Sequence, residues 1–185
     1  MKTVRLDEEI RYTGEQLRSG WIEERAGLPG DAAVAFLGPC EVAREHMVDR
    51  VDLEAGARIA SPRMVHVIVE HPGLDLDHIT VRQRLLMALA AEILNGELGE
   101  TLIQREGDDL FLRERKLSVS VATGSPVSGL IHAGFNARGE GAPVAAIGLE
   151  DLGVSPRDFA ERLLAAYKSE IESAQEAARK VKPVR

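Results

Sequence analysis

Two short stretches carry most of the chemistry-bearing side chains: KLSVSVA from residue 116 and LIHAGFNA from residue 130. Read with a period of two, the first puts Lys116, Ser118, Ser120 and Ala122 on one face and Leu117, Val119 and Val121 on the other. The second puts Leu130, His132, Gly134 and Asn136 on one face and Ile131, Ala133, Phe135 and Ala137 on the other. Such alternation marks a strand with two unlike faces. A polar strand face can simply meet water. Here, though, the polar positions hold small hydroxyls, a glycine and an imidazole, which leave space above the sheet as a pocket floor does. A lysine in that floor suits a carboxylate or phosphate, as a compact charge with three donors. A histidine there can serve as acid, base or hydrogen-bond partner near neutral pH. The expectation is a pocket for a small-molecule ligand, with Lys116, Ser118, Ser120, His132 and Asn136 converging on it.

Other residues could join them. Asp109 opens a hairpin strand, where turn chemistry alone explains an aspartate; it could also put a carboxylate at the pocket mouth. Tyr12 lies at a helix entry and could reach a ligand. Cys40 follows an apolar strand. As a nucleophile it needs a nearby base or cation to lower its pKa; as a small buried hydrophobe it needs nothing. The histidines at 46, 66, 71 and 78 show no metal-ligand spacing, and HExxH, HxxEH and CxxC are absent. No structural metal is expected. Neither a P-loop nor GxGxxG occurs.

The elements that must position these groups are legible in outline. Residues 2–6 suit an edge strand. Thr13 and Gln16 fit a capping box for a helix through Leu17, Trp21 and Ile22, stopped by Gly27 and Pro29. Residues 32–37 form an apolar run of strand length, ended by Gly38-Pro39. Residues 42–49 suit a short helix, and 52–56 a turn or a second one. MVHVIVE, 64–70, is a second buried strand. TVRQ at 80 predicts a helix whose stripe is Val81, Leu85, Leu89 and Ile93, ended by Asn95-Gly96. TLIQR and DLFLR flank the turn EGD as a hairpin. Residues 143–147 suit a short strand. SPRD at 155 predicts a helix start with Ser155 as N-cap and Pro156 in the first turn; it runs to about Lys180 through Phe159, Leu163, Ala166, Tyr167 and Ile171. Helices and strands mix without βαβ alternation, which predicts an α+β fold with a mostly antiparallel sheet flanked by helices.

The chain has 185 residues, enough for one domain over 1–185 with its own core. A net charge of −7 argues against a general nucleic-acid grip, which draws on excess Lys and Arg. One cysteine cannot make an internal disulfide, which suits a reducing compartment. No apolar run approaches the ~20 residues that span a bilayer. The N-terminus lacks a signal-peptide core. These readings make a cytoplasmic protein with no membrane or nucleic-acid partner the expectation. A homo-oligomer joined through the polar strand faces is a further one.

YTGEQLRSGW, FLGPCEVAREHMVD, HVIVEH, GDDLFLRERKLSVSVATGSPVSGLIHAGFN and GLEDLGV together resemble an uncharacterised prokaryotic family, domain of unknown function 366, over most of residues 10–182. The central block resembles, more distantly, the catalytic domain of biotin– and lipoate–protein ligases, whose fold is shared with class II aminoacyl-tRNA synthetases. That resemblance places Lys116 at the ligase lysine that contacts the acyl-adenylate, and LIHAGFNA at the strand that follows. FLGPCEVAREHMVD resembles the ligase strand and loop bearing a Gly, a Gln and an acidic residue, with Cys40 near the Gln. The implied function is acyl or adenylyl transfer on a small carboxylate. The implied catalytic set is Lys116, His132 and Cys40, with Ser118, Ser120, Asn136, Asp109, Tyr12 and Arg63 around the ligand. The alternative is a non-catalytic small-molecule binding or regulatory protein on the same fold. Ligases cover ATP with an Arg-Arg-x-Ser/Thr-Gly-Gly-Gly loop. GARIASPRMVHVIVE stands there in this chain, with Arg58, Ser61 and Arg63 but without the glycine run through which backbone approaches phosphate. A related octanoyltransferase route needs no ATP but needs a thiolate, for which Cys40 is the one candidate.

Overall fold

The computed structural model describes residues 1–184; Arg185 lies outside them. Along this chain run β1 (Lys2–Glu9), α1 (Trp21–Ala26), β2 (Ala32–Glu41), α2 (Arg50–Ala55), β3 (Ala60–Pro72), α3 (Leu76–Leu98), β4 (Ile103–Glu106), β5 (Asp109–Leu112), β6 (Arg115–Lys116), β7 (Ser118–Gly124), β8 (Ser128–Asn136) and α4 (Pro156–Arg179). Single 3-10 turns occupy Arg44–His46 and Glu150–Leu152. Five strands form the main sheet in the order β1-β2-β3-β8-β7; β4, β5 and β6 form a small one. The β1–β2 pair is parallel and the other pairs are antiparallel. The fold is the expected α+β, with a mostly antiparallel sheet flanked by helices.

β2 and β3 are buried along nearly their whole length, as their β-branched and alanine-rich sequences require at a sheet centre. One face carries Ala33, Ala35, Leu37, Val65, Val67, Val69, Ile131, Ala133 and Phe135. It packs under α3 and α4 to make the larger core. The other carries Val34, Phe36, Met64, His66, Ile68, His132 and Gly134. α1 and the irregular segments after β1 and β2 cover this second face.

α4 begins as read: the Ser155 hydroxyl accepts from the Asp158 N–H, and Pro156 follows. Phe159, Leu163, Tyr167 and Ile171 are buried on it. Elsewhere the boundaries move. The Thr13–Gln16 exchange forms, with the Thr13 N–H donating to Gln16 Oε1 at 3.0 Å, yet no helix starts there. Gly14 and Gly20 take left-handed φ values of 95° and 79°, so the segment is a string of turns and helix waits until Trp21. β2 runs through Gly38-Pro39, where a register shift accommodates the proline. Gly38 is required there, because a Cβ would lie 2.0 Å from the Ile10 carbonyl oxygen. α3 starts one turn earlier than read, capped by Asp75, and passes through Asn95-Gly96 to end at Gly99. Its buried positions are Ile79, Gln83, Leu86, Met87, Ala90, Ala91 and Leu94, while Val81 faces solvent. Leu85, Leu89 and Ile93 of the expected stripe flank this buried line, partly buried against the core, and only Val81 lies off it. Residues 42–49 hold only the short 3-10 turn, and 143–147 contribute a bridge between Ala146 and Lys116.

Candidate functional site

β7 and β8 pair in a register that decides what the site contains. Val119 lies opposite Gly134 and Val121 opposite His132, whereas Ser118 and Ser120 lie opposite Phe135 and Ala133. The valines thus share the imidazole's face, and the serines turn to the helix side. This overturns the expectation of two hydroxyls beside His132. Each strand shows its own alternation, but nothing within either stretch sets the register between them. The serines serve the scaffold. Ser118 Oγ accepts the Leu110 N–H at 2.8 Å, and Ser120 Oγ donates to the Asp108 carbonyl at 2.6 Å while accepting from Gln83 Nε2 at 2.9 Å. They tie the small sheet and α3 to the edge of the main sheet.

A cavity of about 240 Å³ lies on the imidazole side. Val119, Val121, His132 and Tyr12 wall its sheet side, with Ser120 at the strand edge. Met47, Val48, Val51 and Ile59 come from the segment between β2 and β3, which lies across it. A neighbouring cavity of about 180 Å³ is bounded by Arg58, Met64, Ser118, Asn136 and Val144. The two share Lys116, Val119, Ile59 and Asp52 as a common boundary. The backbone of Lys116 is fixed on both sides: its N–H donates to the Ala145 carbonyl and its carbonyl accepts from the Ile147 N–H.

Lys116 Nζ meets Asp109 Oδ2 at 2.6 Å, both side chains being partly buried. The other carboxylate oxygen of Asp109 is buried without a partner. Burial pushes the Asp109 carboxyl above its ordinary pKa, against the pull of the Lys116 ammonium. The ammonium keeps two donors beyond that pair. Asp49, Asp52 and Asp108 also border the cavity. Asp49 caps α2 by accepting from the Val51 and Asp52 N–H groups, and Asp108 pairs with Arg84 at 3.3 Å.

His132 is buried and stacked on Tyr12, with ring centroids 3.7 Å apart and planes 7° from parallel. His132 Nε2 lies 3.0 Å from His66 Nδ1, and His66 Nε2 lies 3.2 Å from the Gly38 carbonyl oxygen. Burial lowers the His66 pKa to about 4 and drives that of His132 well down, helped by the neighbouring imidazole. Both rings are neutral at pH 7. Burial likewise raises the pKa of the Tyr12 phenol, which stays protonated.

The remaining candidates stand apart. Asn136 borders the smaller cavity, and its Nδ2 donates to the Lys116 carbonyl at 3.3 Å, so it supports the lysine's backbone. Arg63 is half-exposed, paired with Glu9 at 2.8 Å and Glu150 at 3.6 Å, and lines a separate surface cleft. Cys40 is buried outside the Lys116 cavity, and burial with Glu41 nearby pushes its thiol up to about 12. A thiol so placed is protonated at neutral pH, whereas nucleophilic attack needs thiolate. Sequence reasoning missed His66 and the covering segment from Val42 to Ile59. His66 was legible in principle, because MVHVIVE puts it on one face with Met64 and Ile68. The covering segment has no periodicity to read.

Among the described residues no group of three or more His, Cys, Asp or Glu could hold a metal ion. None of their helices is long and apolar enough to cross a membrane.

The sheet and its flanking helices define a domain with the fold of the biotin– and lipoate–protein ligases. Biotin protein ligase from Aquifex aeolicus, solved in complex with biotin and ATP, superimposes with a TM-score of 0.60 over 95% of this chain and 72% of that one. Identity there is 12%, so the likeness is one of fold. The chain itself belongs to the family described as Domain of unknown function (DUF366), which it matches over residues 1–182. An uncharacterised protein of Methanocaldococcus jannaschii is 35% identical over 191 residues, covering 100% of this chain and 86% of the relative. A protein of unknown function from Pyrococcus horikoshi has a TM-score of 0.93 and 39% identity, covering 100% of this chain and 99% of that one.

Proposed function

We propose that the paired cavities bind a small carboxylic acid or its acyl derivative, with Lys116 taking the anionic end, and that acyl transfer is the activity. One observation carries this reading: Lys116, its ammonium held by Asp109, lines both of two adjoining cavities on a ligase-type sheet. An acyl chain in one lobe and a leaving group in the other would bring the reacting carbonyl to the lysine. A charge held there by Asp109 is preorganised, so little rearrangement is needed as negative charge develops on the acyl oxygen. The lobes also match the substrate class in character, because Val119, Val121, Met47 and Ile59 supply apolar walls, with Lys116 as a cation common to both lobes and Arg58 at the smaller one.

ATP fits this site poorly. The stretch standing where the ligases carry a glycine-rich loop is strand here: Ala60 and Ser61 pair with Glu41 and Cys40 at the start of β3. Arg63 is engaged by Glu9 and Glu150. Four aspartates at the larger cavity would repel a triphosphate. The same facts favour a second reading, a binding or regulatory protein that retains the fold and the carboxylate site without activating its ligand.

Calorimetric titration with ATP, alone and with a panel of linear carboxylic acids, separates these readings when pyrophosphate release is followed in parallel. Acid binding without ATP heat or pyrophosphate supports the site and excludes adenylation. Acyl-thioester cleavage by the protein, lost in Lys116→Ala, supports transfer over binding alone.

A further inference from the structure

The larger of the two cavities has a polarity that Lys116 does not explain. His132 lies opposite Val121, five positions along from Lys116, and lines the cavity there. Its Nδ1 has no hydrogen-bond partner among the described residues, while its Nε2 is taken by His66. The proton positions follow from the chain of contacts. The Gly38 carbonyl can only accept, so His66 Nε2 carries the proton that reaches it. A neutral His66 then has a bare Nδ1, which must accept, so His132 donates through Nε2–H. A neutral His132 is left with a lone pair on Nδ1. Tyr12 seals one face of the ring, and a Cβ at Gly134 would lie 3.4 Å from its Cε1. The ring edge bearing Nδ1 is the part left to meet a ligand.

We infer that His132 is a specificity residue whose Nδ1 accepts a hydrogen bond from a neutral N–H or O–H donor on the ligand, in a tautomer fixed by Gly38 through His66. This rests on the Proposed function for the location of the site and adds a second chemical requirement to it. The ligand has an anionic end for Lys116 and, separately, an amide-like or hydroxyl donor for His132. A purely hydrocarbon acyl chain would leave the His132 lone pair buried and unpaired, a penalty the correct ligand avoids. His66 touches no ligand; it is a positioning residue.

Nitrogen-15 NMR of the full chain with labelled histidine tests this in two parts. In the free protein both histidines should show a protonated Nε2 and an unprotonated, pyridine-like Nδ1. A protonated Nδ1 on His132 overturns the inference outright. Titration with 2-pyrrolidinone, a lactam with one N–H, and with N-methyl-2-pyrrolidinone provides the second part. The lactam should move the His132 Nδ1 resonance, and the methylated probe should bind about tenfold more weakly, the ratio expected for one buried hydrogen bond. Equal binding of the two, or no movement of His132 Nδ1 with the lactam, overturns it. Neither probe has a carboxylate, so failure here leaves the Lys116 reading intact. Loss of carboxylate binding in Lys116→Ala is a separate readout.

Discussion

Acid should unfold this protein earlier than its surface charges suggest, because folding holds histidines neutral. His66 and His71 are both fully buried, and burial lowers each pKa to about 4, in His71 against the pull of Asp31. In the unfolded chain each titrates near 6.5. Above that value neither state binds the proton and the term vanishes. Between about 6.5 and 4 the unfolded chain takes up a proton that the folded one refuses, so stability falls as the pH falls. Each residue contributes a slope of about 1.4 kcal/mol per pH unit in that window, or about 2 kcal/mol between pH 7.5 and 5.0. The two together give about 4 kcal/mol, a large part of a typical domain's stability. His132 acts in the same direction. Asp109, raised by burial, acts in the opposite one, and only as the pH nears the carboxylate range. Urea unfolding followed through the single tryptophan, Trp21, measures this at pH 7.5, 6.0 and 5.0. His66→Phe should lose roughly a third of the pH 7.5 to 5.0 difference, since His71 and His132 remain, whatever its own stability at pH 7.5. A free energy of unfolding constant to within about 1 kcal/mol over this range, or one that rises on acidification, would refute the reasoning.

Three further outcomes follow from single contacts. Ser118→Ala strands the buried Leu110 N–H and should cost about 1–3 kcal/mol in urea unfolding. Gly38→Ala drives a methyl group into the Ile10 carbonyl and should destabilise by about 3 kcal/mol or more, seen as a lowered urea midpoint. Cys40, with its thiol pushed up to about 12, should react with a disulfide reagent at pH 8 only once denaturant opens the fold. Rapid labelling of the native chain would contradict that placement.

The parts of the fold that sequence revealed are those specified within one element. Ser155 and Pro156 set the start of α4, and its apolar spacing set its buried side. The alternation in LIHAGFNA put His132, Gly134 and Asn136 on one face, as found. What stayed hidden depends on pairs of elements. Ser118 and Ser120 look like neighbours of His132 on one face until the β7–β8 register turns their hydroxyls to the helix side, where they hold Leu110, Asp108 and α3 while the residues still border the cavities. Gly38-Pro39 reads as a strand end, because nothing local announces that Ile10 lies against Gly38 on one side while β3 continues on the other. On α3 the stripe from Val81 marks the flank of the buried face: Leu85, Leu89 and Ile93 pack against the core while Val81 is exposed, because the centre of that face is set by the sheet beneath it, which nothing in the helix announces. The Lys116–Asp109 pair is half legible in sequence, since each residue stands out alone but not their contact. Their contact comes from the β5–β6 pairing, which sets Phe111 against Lys116.

The most direct test is calorimetric titration of the wild-type chain and Lys116→Ala with linear carboxylic acids and with the matching primary amides. The expected result is that an acid binds the wild type, that its amide binds more weakly, and that Lys116→Ala weakens the acid by about tenfold or more while leaving the amide nearly unchanged. Equal affinity of wild type and variant for the acid would contradict the assignment of Lys116, and with it the assignment of the cavity.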